Sequence, residues 1–339
     1  MKRLHDANAS AVFSRREVLK TALYGALAAA APVTSAFASG YPQRPIQYVS
    51  PYPPGGTNDL VARIASKRLA ALLGTSIIVE NRGGAGGTIG TGYVARANAD
   101  GYTVLNASSG NLTSAPQVLG APYRPLADFI PVGFLGNIRF VFASHPSLKV
   151  NTLHELIAYA KAHPGKVNYG TAGIGTGGHL AGEYLKLRTG IDIVHVPYRG
   201  SAPALTDAVA GAVQLVIDPL ATEYVRSGNL RGLAFAGATD AADLPGVPSI
   251  DVAGVPHWEV TNFYLATVPV ATPPAIVDAL SAAFAKLAGD PSVVASMKPL
   301  GVELKPLDRN QTFALLKAET AVNNRIIAAA HIPTAKAAA

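Results

Sequence analysis

Tyr48-Val49-Ser50-Pro51-Tyr52-Pro53-Pro54-Gly55-Gly56-Thr57-Asn58-Asp59-Leu60 reads as the end of a strand (46–51), a proline–glycine turn and the start of a helix. Pro53 and Pro54 fix φ and remove two backbone donors, which holds the turn extended. Gly55 and Gly56 carry no Cβ, so an incoming group can reach the main chain. The helix opens at Thr57 or Asn58, either of which can cap it, while most first-turn N–H groups still lack intrahelical acceptors. Such a turn is an anion site made from backbone alone. Asp59, in the first turn, complements the helix dipole and ties the turn down. Alone, the stretch is an ordinary strand-to-helix connection; similar turns downstream give it weight.

Those turns are Ser108 to Asn111, Gly173 to Thr176 and Tyr198 to Ser201. Around the first two turns, β-rich and helical runs alternate. Strands are expected at 45–50, 76–80 and 102–107. A helix at 60–73 carries Val61, Ile64, Ala65, Leu69 and Leu72 on one face, and a shorter one follows the glycine turn 82–87. This βαβαβ order predicts a parallel sheet covered by helices. Residues 126–131 read as loop, and 132–143 as an apolar strand pair or crossing that leaves the first lobe. A second alternating unit follows, with strands at 167–171, 191–197, 213–218 and 230–236. Its first helix opens at Asn151-Thr152-Leu153-His154-Glu155, a capping-box-like start. Residues 264–270 read as the return crossing. The fold class is therefore α/β, with two lobes joined by two crossing strands: lobe 1 over 41–138 plus 263–332, lobe 2 over 139–262. Ligands of such sheets sit beyond the carboxyl ends of strands, so the four turns are expected to face one cleft.

The chain has 339 residues, 49% hydrophobic and 14% charged, enough for two domains with buried cores. Its net charge is +7, of which residues 1–38 carry +3 and the remainder +4. The remainder has no dense Lys/Arg run, which argues against nucleic acid and favours encounter with small anions. The absence of cysteine excludes disulfides, thiolate metal sites and cysteine nucleophiles. Residues 1–38 read as an export signal. Ser14-Arg15-Arg16-Glu17-Val18-Leu19-Lys20 matches the twin-arginine pattern, an apolar core too short to span a bilayer follows, and Ala36-Phe37-Ala38 is a cleavage site before Ser39. No later run of 18 uninterrupted apolar residues occurs. The mature protein is expected to be a soluble, periplasmic monomer.

No catalytic set assembles. His179, His195 and His257 are scattered, and His195 lies in an apolar strand where a satisfied core histidine is expected. There is no HExxH, GxSxG or Asp-rich metal loop, so neither cofactor nor metal is expected. Gly173-Ile174-Gly175-Thr176-Gly177-Gly178 matches GxGxxG, but the acidic residue that should end the next strand is missing: Asp192 stands at its beginning and Tyr198 at its end. Asp218, at a strand end in the second lobe, either faces the cleft to select a cationic group or caps the next helix, the latter being favoured.

Taken together, these residues resemble the Bug family, the periplasmic solute-binding receptors of tripartite tricarboxylate transport systems. The resemblance runs from Tyr41 to Ile327. It is carried by Tyr41-Pro42-Gln43-Arg44-Pro45-Ile46, by Pro51 to Asp59, and by Val79-Glu80-Asn81-Arg82-Gly83-Gly84-Ala85-Gly86-Gly87. It continues through Asp100-Gly101-Tyr102-Thr103, His179-Leu180-Ala181-Gly182-Glu183, and Val196-Pro197-Tyr198-Arg199-Gly200-Ser201-Ala202-Pro203-Ala204. Two departures stand out: Arg82-Gly83 where the family usually has Arg-Pro, and Gly177-Gly178 where a Ser pair is frequent.

The resemblance implies a periplasmic-binding-protein-like (type II-like) Venus flytrap that is not an enzyme. Such a receptor closes on a small carboxylate (a di- or tricarboxylate, an acidic amino acid or an aromatic acid) and hands it to membrane permease subunits. It also implies that Tyr52, Gly55, Gly56, Thr57 and Asn58 grip the ligand, with Asp59 in the same loop and Ser108 and Ser109 beside it. Ala172, Gly173, Thr176 and Tyr198 would oppose them, with Asp218 in the same lobe. Asn111, Gly177, Asp218 and Trp258 are the candidates for specificity. Asn58→Ala and Thr176→Ala are expected to weaken binding with little effect on the melting temperature of the free protein. The alternatives are a sensory module that presents its ligand to a membrane histidine kinase, and an exported α/β enzyme with an unrecognised site.

Overall fold

The computed structural model describes residues 40–237 and 241–335, so the export-signal reading of residues 1–38 lies outside the described residues. The first lobe begins with β1 (Ile46–Ser50), α1 (Thr57–Leu73), β2 (Ile77–Asn81), α2 (Thr88–Ala95) and β3 (Thr103–Ser108). β1 pairs in parallel with both β2 and β3, as the alternation predicts. Three short helices follow, α3 (Ser109–Thr113), α4 (Ala115–Leu119) and α5 (Pro125–Asp128), and then the long strand β4 (Phe129–Ile138). The segment read as loop at 126–131 is thus the end of a helix and the start of a strand. Pro125 takes the first helical position, where its missing N–H costs nothing.

The second lobe contains β5 (Phe140–Ser144), α6 (Leu153–Ala162), β6 (Val167–Thr171), α7 (Gly177–Thr189) and β7 (Ile193–Pro197). It continues with α8 (Ser201–Val209), β8 (Leu215–Asp218), α9 (Ala221–Arg226) and β9 (Arg231–Ala236). Thr152 caps α6 by accepting from Glu155 N at 3.1 Å, the start read from the sequence. The chain then returns to the first sheet as β10 (Phe263–Pro269), α10 (Pro274–Ala288), α11 (Pro291–Met297), the two-residue β11 (Val302–Glu303) and α12 (Arg309–Ala329).

Two sheets result, ordered β11-β4-β10-β3-β1-β2 and β7-β6-β8-β5-β9. Neither is purely parallel. β10 lies between β3 and β4 and is antiparallel to both, and β5 is antiparallel to β8 and β9. β10 and β5 are strands next to the crossings: they enter a sheet from the other lobe, outside any βαβ unit, so no helical crossover imposes parallel pairing, and the two-residue edge strand β11 is likewise antiparallel to β4. The outward crossing is strand on both sides of Arg139. The return becomes strand at Phe263, and Asn262 O there accepts from Ile138 N at 2.8 Å, which ties the two crossings together.

Each sheet buries its own apolar cluster. Val49, Leu105, Phe134, Phe263 and Leu265 fill the first. Phe142, Leu156, Tyr169, Leu180 and Ile217 fill the largest cluster of the second, which Ile326 and Ile327 of α12 join across the lobe junction. Close approach is built in at Gly133, where a Cβ would stand 2.4 Å from Phe284 Cγ. Arg139, only 2% exposed at the crossing, pairs with Asp243 at 2.6 Å.

A cleft where helix N-termini converge

Residues just past the carboxyl ends of β1, β3, β6 and β8 surround one cavity, with about 580 Å³ of empty space including its mouth. Three helices of 17, 13 and 9 residues open onto it, α1, α7 and α8. Their N-cap residues are Gly56, Thr176 and Gly200, and no side chain caps any of them. The expected capping of α1 by Thr57 or Asn58 is therefore corrected: Thr57 is already helical and Asn58 bonds elsewhere. Uncapped first turns leave N–H groups and the positive dipole ends toward the cavity. Among the described residues, no Lys, Arg or His lines it.

Eight of the thirteen expected contacts line this cavity: Tyr52, Gly56, Thr57, Asn58, Ser108, Ala172, Thr176 and Asp218. The turns of both lobes therefore share one crevice. The other five stand behind them. Gly55 donates its N–H to Asp59 Oδ2 at 3.0 Å, so that donor is consumed. Asp59 also accepts from Asn81 Nδ2 at 2.8 Å and from Arg63. Burial alone would raise its carboxyl, but these bonds hold it below the usual range. Ser109 Oγ bonds Asn262 Oδ1 at 2.8 Å. Gly173 and Tyr198 line a wider mouth that adjoins the cavity, where the Tyr198 hydroxyl donates to Asp207 at 2.7 Å.

Several lining side chains also build the scaffold. Asn58 accepts from Ser50 Oγ at 2.8 Å and donates to Asn106 O at 3.0 Å. Thr176 Oγ1 donates to Gly173 O at 2.7 Å and closes its own turn. The expectation that alanine at either site leaves stability untouched is therefore withdrawn. Tyr52 lies 3.0 Å from Ser108 Oγ, and burial pushes its phenol up to about 12. Thr57 differs from these. Its hydroxyl is buried without a partner in hydrogen-bonding geometry, although Tyr264 is near enough to sense it.

Asp218 is 2% exposed and its Oδ1 accepts from Leu220 N at 2.9 Å. It holds the turn ahead of α9 without being that helix's N-cap, which is Leu220. Burial pushes its carboxyl up to about 6, with a hydrogen bond from Ser201 pulling the other way. Of the specificity candidates, Gly177 and Asp218 reach the cavity, whereas Asn111 and Trp258 do not. Asn111 completes a capping box with Ser108. Trp258 packs edge-on against Phe142 and Tyr184. His195 is bonded and stacked as expected, but half-buried on a partly exposed strand and not in the core: its Nε2 is 2.7 Å from Thr171 Oγ1, and its ring lies 4.2 Å from that of His179.

Sequence reasoning missed Asn262 and Tyr264, which enter from the return crossing, and Phe140 at the start of β5. No turn motif marks them. The only signal was the pair of apolar runs assigned as crossings.

The lobes touch along the cleft. Ser114 Oγ donates to Gly175 O at 2.7 Å, and a Cβ on Gly110 would stand 3.0 Å from Gly177 N. The structure is therefore a closed one.

Known proteins are similar to this chain in sequence and fold. The family model for the tripartite tricarboxylate transporter family receptor matches residues 61–332. The protein BugT of Bordetella pertussis is 40% identical over 256 residues, covering 73% of this chain and 76% of that one. The structure of R. palustris Rpa4515 with adipate superposes with a TM-score of 0.83 at 33% identity, covering 87% of this chain and 99% of that one. MatC (Rpa3494) from Rhodopseudomonas palustris, with bound malate, gives 0.79 at 28% identity, covering 85% and 100%. The structural neighbours are two-lobed periplasmic binding proteins, and the family is one of solute-binding receptors, not enzymes. The chain belongs to the tripartite tricarboxylate transporter receptor family.

Proposed function

We propose that this receptor captures a small carboxylate between its lobes in the periplasm and delivers it to the membrane subunits of a tripartite tricarboxylate transporter. One observation carries the reading: three uncapped helix N-termini, from both lobes, open onto a cavity that no cationic side chain among the described residues lines. Such a site neutralises an anion with backbone dipoles, at about 1.5–3 kcal/mol per charge-assisted hydrogen bond. The relatives support the same class, since adipate and malate are the ligands named with two of them. We place lobe 1 at 41–138 plus 263–332 and lobe 2 at 139–262, in keeping with the strands each sheet contains. Export by the twin-arginine route rests on the residues quoted above. No helix among the described residues is long and apolar enough to cross a membrane.

The thirteen residues divide in this proposal. Gly56 and Thr57 offer donors to the ligand, whereas Ser108 and Thr176, whose own donors go to Asn111 and Gly173, join Asp59, Ser109 and Tyr198 in holding the loops that do so. Calorimetry of the mature protein against aliphatic di- and tricarboxylates, acidic amino acids and aromatic acids tests the reading, and silence across that panel overturns it. Thr57→Val keeps the shape and removes only the buried hydroxyl. It is expected to weaken binding about ten-fold, the equivalent of one hydrogen bond, with the melting temperature of the free protein unchanged.

A further inference from the structure

We infer that Asp218 makes this receptor bind its anionic ligand together with one proton, which the Asp218 carboxyl takes up from solvent and keeps as an O–H hydrogen-bonded to a ligand oxygen. This rests on the carboxylate reading above and adds a specificity-determining residue to it.

The geometry sets the problem. A cavity built to receive negative charge is lined by a carboxyl that is itself almost wholly buried. One of its oxygens accepts from Leu220 N, Ser201 also bonds to it, and no cationic side chain among the described residues shares the cavity. An ionised Asp218 beside a bound carboxylate would place two like charges together in a dry site, which the site avoids by protonating one of them. A neutral carboxyl then supplies an O–H donor, and O–H···O⁻ is among the stronger hydrogen bonds available. The new O–H bond on Asp218 is the only bond formed, and none is broken within the protein or ligand.

The neighbouring elements offer no other group to take that proton. β5 carries no ionisable side chain. On β6, the Tyr169 phenol donates to Glu183. On α7, His179 accepts from Gly175 N and is stacked on His195, and burial lowers its pKa. On α8, Asp207 accepts from Tyr198. On α9, Glu223 pairs with Arg226. The phenols of Tyr52 and Tyr264 are raised by burial and stay neutral. Arg139, just ahead of β5, is paired with Asp243.

The sign follows. Before any ligand arrives, burial already pushes Asp218 up to about 6, so near neutral pH the free carboxyl is mostly ionised. The bound anion raises it further, so the complex holds the proton. Affinity is then fully present below the free pKa and falls by about ten-fold per pH unit above it, until the pKa of the complex is reached.

The test uses the mature protein and the tightest binder among succinate, adipate, malate, glutamate and benzoate. Calorimetry at pH 7.5 in phosphate and in Tris, whose ionisation enthalpies differ, reads the protons taken up. About one proton per ligand is expected, with a Kd that rises about ten-fold from pH 6.5 to 7.5. Asp218→Asn, which can still accept from Leu220 N, should take up none and bind with a Kd flat over that range. Binding without proton uptake overturns the inference alone; that is the result expected if a ligand ammonium partners an ionised Asp218. Uptake undiminished in Asp218→Asn also overturns it. If that variant does not fold, the two-buffer measurement on the wild type decides by itself. Failure of every acid to bind overturns the functional reading, and this inference with it.

Discussion

Gly110→Val is expected to lower carboxylate affinity by about 10- to 100-fold while leaving the free protein folded. Gly110 lies in α3 of the first lobe, and a Cβ there would stand 3.0 Å from Gly177 N and 3.4 Å from the Thr176 backbone, both in the second lobe. Main chain cannot move aside as a side-chain tip can, and valine adds two methyl groups beyond that Cβ. Overpacking of this kind costs about 1–3 kcal/mol. Separating the lobes is expected to relieve this strain. The ligand selects the closed form, and the cost appears in affinity, where 1.4 kcal/mol is a factor of ten. Within α3 itself, valine is no worse a helix former than glycine. Titration calorimetry and thermal melts of the ligand-free variant read the two effects separately. Undiminished affinity would mean that the seam between Gly110 and Gly177 is not closed in the liganded receptor.

Asn58→Ala is expected to lower unfolding free energy by about 2–4 kcal/mol, as well as to weaken binding. Its side chain joins β1 to β3 through bonds with Ser50 Oγ and Asn106 O. Ser50 and Asn106 are 0% exposed, so alanine leaves a buried hydroxyl and a buried carbonyl without that partner. Each buried group that loses its partner costs about 1–3 kcal/mol, with Ser50 Oγ at the low end because Tyr52 O stays within 3.4 Å. The reciprocal bond from Asn106 Nδ2 to Asn58 O, at 2.8 Å, survives because it uses main chain. Urea unfolding should show a lower midpoint with an unchanged slope. A loss below about 1 kcal/mol would mean that these bonds are replaced by water in solution.

Asn58 also shows where reading the sequence stopped. Its place at the start of α1, behind two prolines and two glycines, marked it as a residue beside an anion. Nothing local showed that its amide would reach 48 residues along the chain to Asn106. Asp59 is the opposite case. A carboxylate in the first turn of a helix complements the dipole wherever that helix lies, so its structural role was readable from position alone. Asp218 falls between them. Its turn contact with Leu220 is local, whereas its place beside the cavity depends on how two lobes meet.

The residues alone determined the α/β alternation, the four glycine-bearing turns, the two crossings and the absence of a catalytic set. Each follows from hydrophobic period, backbone freedom or side-chain chemistry over short spans. Only the tertiary structure decided that β10 would run antiparallel between β3 and β4. It also decided that Asn262 and Tyr264 would join the cavity, and which polar side chains would face it or stay behind it. The first two depend on contacts between segments more than a hundred residues apart, the third on partners at many separations, and no pattern within a single helix or strand records which partner a side chain will meet.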